Sequence, residues 1–193
     1  MFHRLLLAVT LLLPFPALAA PEIHEIGPAN TQVGFSIRYL MVARAQGGFT
    51  DIHGVFTLDP VTQEMDAIDV TIATASVDTG SPRRDRDLQG EDFFWTGRYP
   101  SMRFQGHHAI RTGSHSGRVS GELTLRGVTR PVDLDVTLGN HAATAVASIR
   151  RGDFGMRPGL ASLLIADRVD IRIEITGLPG GTGPAAGGPP PPA

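Results

Sequence analysis

The sequence predicts an all-β protein, a sandwich or barrel of about eight antiparallel strands with one short helix between the third and fourth. Three observations predict it. Apolar residues recur at every second position through most of the chain, the spacing of strands with one buried face. The breaks between those runs carry turn residues: Asp59-Pro60, Thr79-Gly80-Ser81-Pro82, Tyr99-Pro100, Thr112-Gly113 and Arg126-Gly127. Only Arg83 to Phe94 lacks strand alternation, and it is read as the short helix or turn.

Residues 1–20 come first. His3 and Arg4 precede the apolar run Leu5 to Leu13, and Ala17-Leu18-Ala19 supplies small residues for cleavage. This reads as a secretory signal peptide, because the run is shorter than the roughly 20 residues that span a bilayer. Pro14 and Pro16 also interrupt it. The mature chain is therefore expected to be exported.

Residues 21–176 have the size of one domain. Val33, Phe35, Ile37 and Tyr39 alternate with Gly34, Ser36 and Arg38. Phe56 and Leu58 share a face, as do Ile68, Val70 and Ile72, and then Leu123 and Leu125. Val132, Leu134, Val136 and Leu138 alternate with Asp133, Asp135 and Thr137. The cleanest run is the last, where Val169, Ile171, Ile173 and Ile175 alternate with Asp170, Arg172, Glu174 and Thr176. Residues 177–193 then form a tail in which 12 of 17 positions are Gly or Pro and none is charged, so it cannot bury enough surface to fold.

Composition removes several kinds of chemistry. With no Cys, disulfides, thiolate metal sites, a cysteine nucleophile and a lipid-modified cysteine are excluded. All 17 basic residues are Arg, which excludes lysine-dependent phosphate loops and Schiff bases. A net charge of −2 is not the basic footprint of a nucleic-acid binder.

The densest carboxylate group is Asp85, Asp87, Glu91 and Asp92. It approaches a calcium loop, but Thr96 stands where the bidentate Glu belongs. A two-carboxylate hydrolase is the alternative reading of the same group. With Arg83, Arg84 and Arg86 interleaved, local salt bridges and helix-cap roles are the simpler expectation. The histidines of the mature chain are His24, His53, His107, His108, His115 and His141; adjacent His107 and His108 point to opposite faces of a strand and do not easily share one ion. No nucleophile elbow or dinucleotide fingerprint is present.

Eight strings occur in an order and spacing that resemble a known family. They begin with Val33-Gly34-Phe35-Ser36-Ile37-Arg38, Gly48-Phe49 through Gly54, and Ala75-Ser76-Val77-Asp78-Thr79-Gly80. Arg84-Asp85-x-x-Leu88 leading to Asp92-Phe93-Phe94, Tyr99-Pro100-x-x-x-Phe104, and Gly121 through Val132 (GELTLRGVTRPV) follow. Arg151-x-Asp153-Phe154-Gly155 and Ile165-Ala166-Asp167-x-Val169 complete the set. Together they resemble the YceI-like family of bacterial periplasmic polyisoprenoid-binding proteins, across nearly all of the mature core.

The resemblance implies an extended eight-stranded antiparallel lipocalin-like β-barrel in the periplasm, with an apolar interior holding an isoprenoid chain such as a polyprenyl lipid or isoprenoid quinone. It implies binding, with no catalytic residue, metal or cofactor. Two positions depart from the family pattern: Tyr39 and Asp87 stand where members commonly carry His. A phenol at Tyr39 still offers a hydrogen bond from an apolar wall.

Strand parity names the residues expected to face that ligand: Phe35, Ile37, Tyr39, Phe56, Leu58, Val70, Ile72, Phe104, Leu123, Leu125, Val136, Ile171 and Ile173. Phe93, Phe94 and Trp95 are expected to cap the cavity mouth or to make transient membrane contact. A homodimer is compatible with the sequence, which specifies no oligomeric state.

Overall fold

Strands built from these alternating runs pair in one antiparallel sheet. The computed structural model describes residues 22–40, 43–59, 65–157, 159 and 164–178. The proposed signal peptide and the tail beyond Leu178 lie outside the described residues. Among the described residues the strands are β1 Glu22–Ile26, β2 Thr31–Tyr39, β3 Ala43–Phe49, β4 Ile52–Leu58, β5 Met65–Ala73 and β6 Val77–Asp78. They continue as β7 Ser101–Gly113, β8 Ser116–Leu125, β9 Val128–Leu138, β10 Ala142–Arg150 and β11 Ile165–Thr176, with helix α1 at Pro82–Gln89.

Eleven strands exceed the eight expected because two barrel strands are bent and β6 is an extra two-residue edge. The ladder runs β1-β4-β5-β7-β8-β9-β10-β11-β2-β3-β6. β1 pairs with β4, placing Ile26 opposite Gly54, and β2 pairs with β3, placing Val33 opposite Phe49. Both pairings therefore belong to one two-stranded ribbon, offset by two residues at a corner. The turn after β1 makes that corner: the Gly27 N–H donates to Asn30 Oδ1 at 3.0 Å and the Thr31 N–H to the Gly27 carbonyl at 2.9 Å. Because β1 leads into β2 and β3 into β4, the two ends of the ladder meet and the sheet closes as a barrel. Counting each bent strand once leaves eight, with α1 between the third and fourth.

Pro82 in the first turn starts α1, where its missing N–H costs nothing. The helix is shorter than the segment expected, and a turn-rich loop follows from Gly90, whose N–H returns to the Asp87 carbonyl at 3.1 Å.

Glycine matters most where Gly106 of β7 faces Gly121 of β8. A Cβ on Gly121 would lie 2.4 Å from the Gln105 carbonyl oxygen and 2.6 Å from the Phe104 ring. The bare backbone thus accepts the aromatic ring and lets the sheet coil. A bulge follows between Gly106 and His108.

The best-packed core gathers around β6, α1 and the short helix Arg151–Phe154. Ile52, Leu125 and Phe154 are almost completely buried there with Phe49, Phe56 and Met102. Thr74 is fully buried and satisfied, its hydroxyl donating to the Tyr99 carbonyl at 2.7 Å. Among the described residues a second, smaller buried group between β8, β9 and β10 holds Val119, Leu134 and Ala145.

Candidate functional site

Inward-facing side chains leave a cavity of about 1710 Å³ inside the barrel. Its walls are apolar: Val33, Phe35 and Ile37 from β2, Ile68, Val70 and Ile72 from β5, and Val169, Ile171 and Ile173 from β11 all line it. β10 contributes the small Ala143 and Ala145, which widen the space on that side. Polar groups gather at the ends. Arg84, Arg86, Asp87, Glu91 and Asp92 line the end beside α1, and Ser114, His115, Ser116 and Asn140 line the end at the β7–β8 and β9–β10 hairpins.

All thirteen residues that parity directs inward line this cavity: Phe35, Ile37, Tyr39, Phe56, Leu58, Val70, Ile72, Phe104, Leu123, Leu125, Val136, Ile171 and Ile173. Phe93 and Phe94 line it as well, and Phe94 meets Phe49 edge-on at 5.5 Å between ring centres. Trp95, expected with them to cap the mouth or to make membrane contact, is not among the lining residues. Its backbone lies in the left-handed region at φ 49°, and its ring meets Tyr99 edge to face with the Arg98 and Arg126 guanidiniums over it. Arg126 also donates from Nη1 to the Glu91 carbonyl at 2.7 Å and to the Phe93 carbonyl, so it fastens the loop that carries the two cavity phenylalanines.

The acidic group behaves differently from its expected salt bridges. Asp85 Oδ1 accepts from the Thr79 N–H at 2.9 Å and from the Thr79 hydroxyl at 2.6 Å. Arg84 donates to the hydroxyl and carbonyl of the same threonine, at 2.9 and 2.8 Å. Among the described residues neither Arg83, Arg84 nor Arg86 pairs with Asp85, Asp87, Glu91 or Asp92. The reason is spatial: Thr79 sits between Asp85 and Arg84 and takes both. Among the described residues no three His, Asp or Glu side chains converge as metal ligands. His24 stacks on Phe56 at 4.9 Å, His53 meets Asp51 at 2.8 Å, and His141 Nδ1 lies 3.0 Å from the Leu178 carbonyl oxygen.

Sequence reasoning passed over Arg151, which lines the cavity although it is only 5 % exposed. Its Nε donates to the Ala166 carbonyl at 2.9 Å and its Nη2 to the Ile165 carbonyl at 2.8 Å. Burial pulls its pKa below the ordinary value, and the nearby Asp167 carboxylate opposes that shift. Only its place in the Arg-x-Asp-Phe-Gly string signalled it. Leu178, two residues beyond the expected domain end, also lines the cavity.

Comparison with known proteins places this architecture. A UPF0312 protein of Photorhabdus laumondii is 33% identical over 172 residues, covering 84% of this chain and 88% of its own. The crystal structure of the Campylobacter jejuni YceI protein superposes with a TM-score of 0.66 at 30% identity, covering 72% of this chain and 87% of that one. A polyisoprenoid binding domain from Saccharophagus degradans, implicated in plant cell wall breakdown, shares the fold with a TM-score of 0.59 at 15% identity, over 81% of this chain and 99% of that one. The YceI-like domain model matches residues 24–177, from within β1 to just past the end of β11, and the chain belongs to that family.

Proposed function

We propose that this protein binds a long-chain isoprenoid lipid, a polyprenyl lipid or isoprenoid quinone, inside its barrel and serves in the periplasm as a carrier or reservoir rather than as an enzyme. The observation that carries the reading is the apolar cavity of about 1710 Å³. Small-molecule pockets commonly span roughly 300–1,000 Å³, so this one suits a longer ligand. The polyisoprenoid-binding domain that shares the fold supports the chemical class. The export expected from residues 1–20 supports the location.

Energetics favour exchange over trapping. At about 0.8 kcal/mol per buried CH₂, a chain of tens of carbons taken from water sums far beyond the roughly 20 kcal/mol ceiling of real affinities. Water is the wrong reference, because such a lipid starts in a membrane that is already apolar. Transfer into the barrel is then close to thermoneutral and reversible. A hydrolase built on the acidic group is disfavoured because Asp85 is engaged by Thr79.

Organic extraction of the purified protein followed by mass spectrometry tests the reading. An isoprenoid lipid near one per chain is expected, and Ala145→Phe, which fills the wall, should lower that amount several-fold. An empty barrel recovered from cells that make isoprenoid quinones overturns it.

A further inference from the structure

One corner of the barrel combines exposed apolar tips with a row of arginines. Leu40, at the tip of the β2–β3 hairpin, is 53% exposed, and Leu164, just before β11, is 56% exposed. The Leu40 N–H donates to the Leu164 carbonyl at 2.8 Å, so two separate connections form one apolar projection. Tyr39 and Ile165, directly paired beneath it, line the cavity.

A band of arginine lies just behind this projection on the outer face. Arg44 of β3 is opposite Arg38 of β2, and Arg150 of β10 is opposite Arg168 of β11. β2 and β11 are themselves neighbours, with a bulge between Ile165 and Val169 opposite Arg38. Four arginines therefore cross four adjacent strands. Like charges placed directly opposite destabilise a sheet, so folding alone does not favour this pattern. Arg168 is held by Asp170 and Ser148, at 2.9 and 2.6 Å. Asp167 accepts from the Gly152 N–H at 2.9 Å. Among the described residues Arg38, Arg44 and Arg150 make no salt bridge or side-chain hydrogen bond, although the Asp170 carboxylate is near enough to Arg44 to feel its charge. The opposite end of the barrel also exposes Ile110 and Leu138, but there Arg118 is held by Asp135 at 2.8 Å.

We propose that this corner docks on an anionic lipid bilayer, with the Leu40 and Leu164 tips entering the acyl boundary while the Arg44, Arg38, Arg168 and Arg150 band meets lipid phosphates. Apolar side chains at a tip and arginines one step behind it match the depth profile of a bilayer, apolar within and anionic at the surface. The surface rests on the lipid-carrier reading for its purpose, since it would set Tyr39 and Ile165 at the membrane. Its existence is testable apart from that reading.

The test is co-sedimentation of the mature protein with phosphatidylcholine vesicles, with and without phosphatidylglycerol. Wild type should bind only the vesicles containing phosphatidylglycerol, and added salt should release it. Arg38→Glu with Arg44→Glu should weaken binding by at least about 25-fold, roughly fivefold for each arginine lost. Leu40→Asp with Leu164→Asp should weaken it by more than about tenfold. Arg118→Glu, on another face, should leave it unchanged. All these positions are exposed or lie on exposed pairs, and the thermal midpoint of each variant checks its fold. Absence of wild-type binding, equal binding to both vesicle types, or indifference to both double variants overturns the proposal. Protein that carries extractable lipid but ignores vesicles overturns the docking surface alone; lipid-free protein that binds them overturns the cavity reading alone.

Discussion

The part of the barrel around α1 and the Arg151–Phe154 helix and the part between β8, β9 and β10 use the same alternating strands but are filled differently. The first encloses Ile52, Leu125, Phe154 and eight other buried apolar residues in one cluster. The second buries Val119, Leu134 and Ala145 and leaves room beside them. The difference is one of filling along a single cavity: Val33, Phe56, Leu123 and Leu125 of the first cluster also line it, but are backed by Ile52, Val77 and Phe154, which do not. Val119, Leu134 and Ala145 line it with few buried neighbours behind them and give up packing contacts in doing so.

That contrast breaks most directly under truncation. Phe154→Ala should cost about 3–5 kcal/mol in urea unfolding, while Val136→Ala, on the cavity wall, should cost under about 1 kcal/mol. Equal losses would mean that the cavity region is packed as tightly as the rest. Gly121→Ala lies between the two regions and should cost about 1–3 kcal/mol, because its Cβ would meet the Gln105 backbone at 2.4 Å. A neutral result would show that the sheet can flatten there. Arg126→Ala should cost about 1 kcal/mol and raise amide exchange in residues 91–95, which its hydrogen bonds fasten to the packed side.

The smallest effect belongs to the outer face. The Arg103 guanidinium, hydrogen-bonded to Asp69 at 2.7 Å, holds the Asp69 carboxyl below its usual 3.8. A carboxyl whose folded pKa is depressed stabilises the fold fully above its unfolded pKa and loses that contribution as pH falls through the folded value. The stability difference between wild type and Asp69→Asn should therefore shrink as pH drops below about 3.8. Solvent exposure keeps this difference small. Acid titration of thermal midpoints measures it.

How legible each element was depends on contrast between its two faces. β2, β9 and β11 set large apolar residues against polar ones, and their inward sets could be named from alternation. β10 conceals its direction: Ala143 and Ala145 face the cavity, whereas the larger Val146 faces solvent at 42% exposure. β7 keeps its alternation only to Gly106, because the bulge before His108 shifts inward positions from Met102 and Phe104 to Ala109. β1 runs against hydropathy, with Ile23 exposed and His24 stacked on Phe56. Trp95 was unreadable because its direction follows from a left-handed backbone set by surrounding turns. The bent ribbon was hidden for a related reason: alternation reports faces and is silent on a corner where one strand continues as another.

The ladder between β2 and β11 has a consequence for how the chain reaches its native state. Ile173 sits opposite Val33, so a strand near the start of the barrel is completed by the final one. Loop-closure entropy makes such a distant contact late and slow. Hairpins β7–β8 and β8–β9 can form early from neighbouring sequence, but closure must await β11. Until then the future cavity walls are open apolar faces, and the half-made barrel is the species most exposed to aggregation.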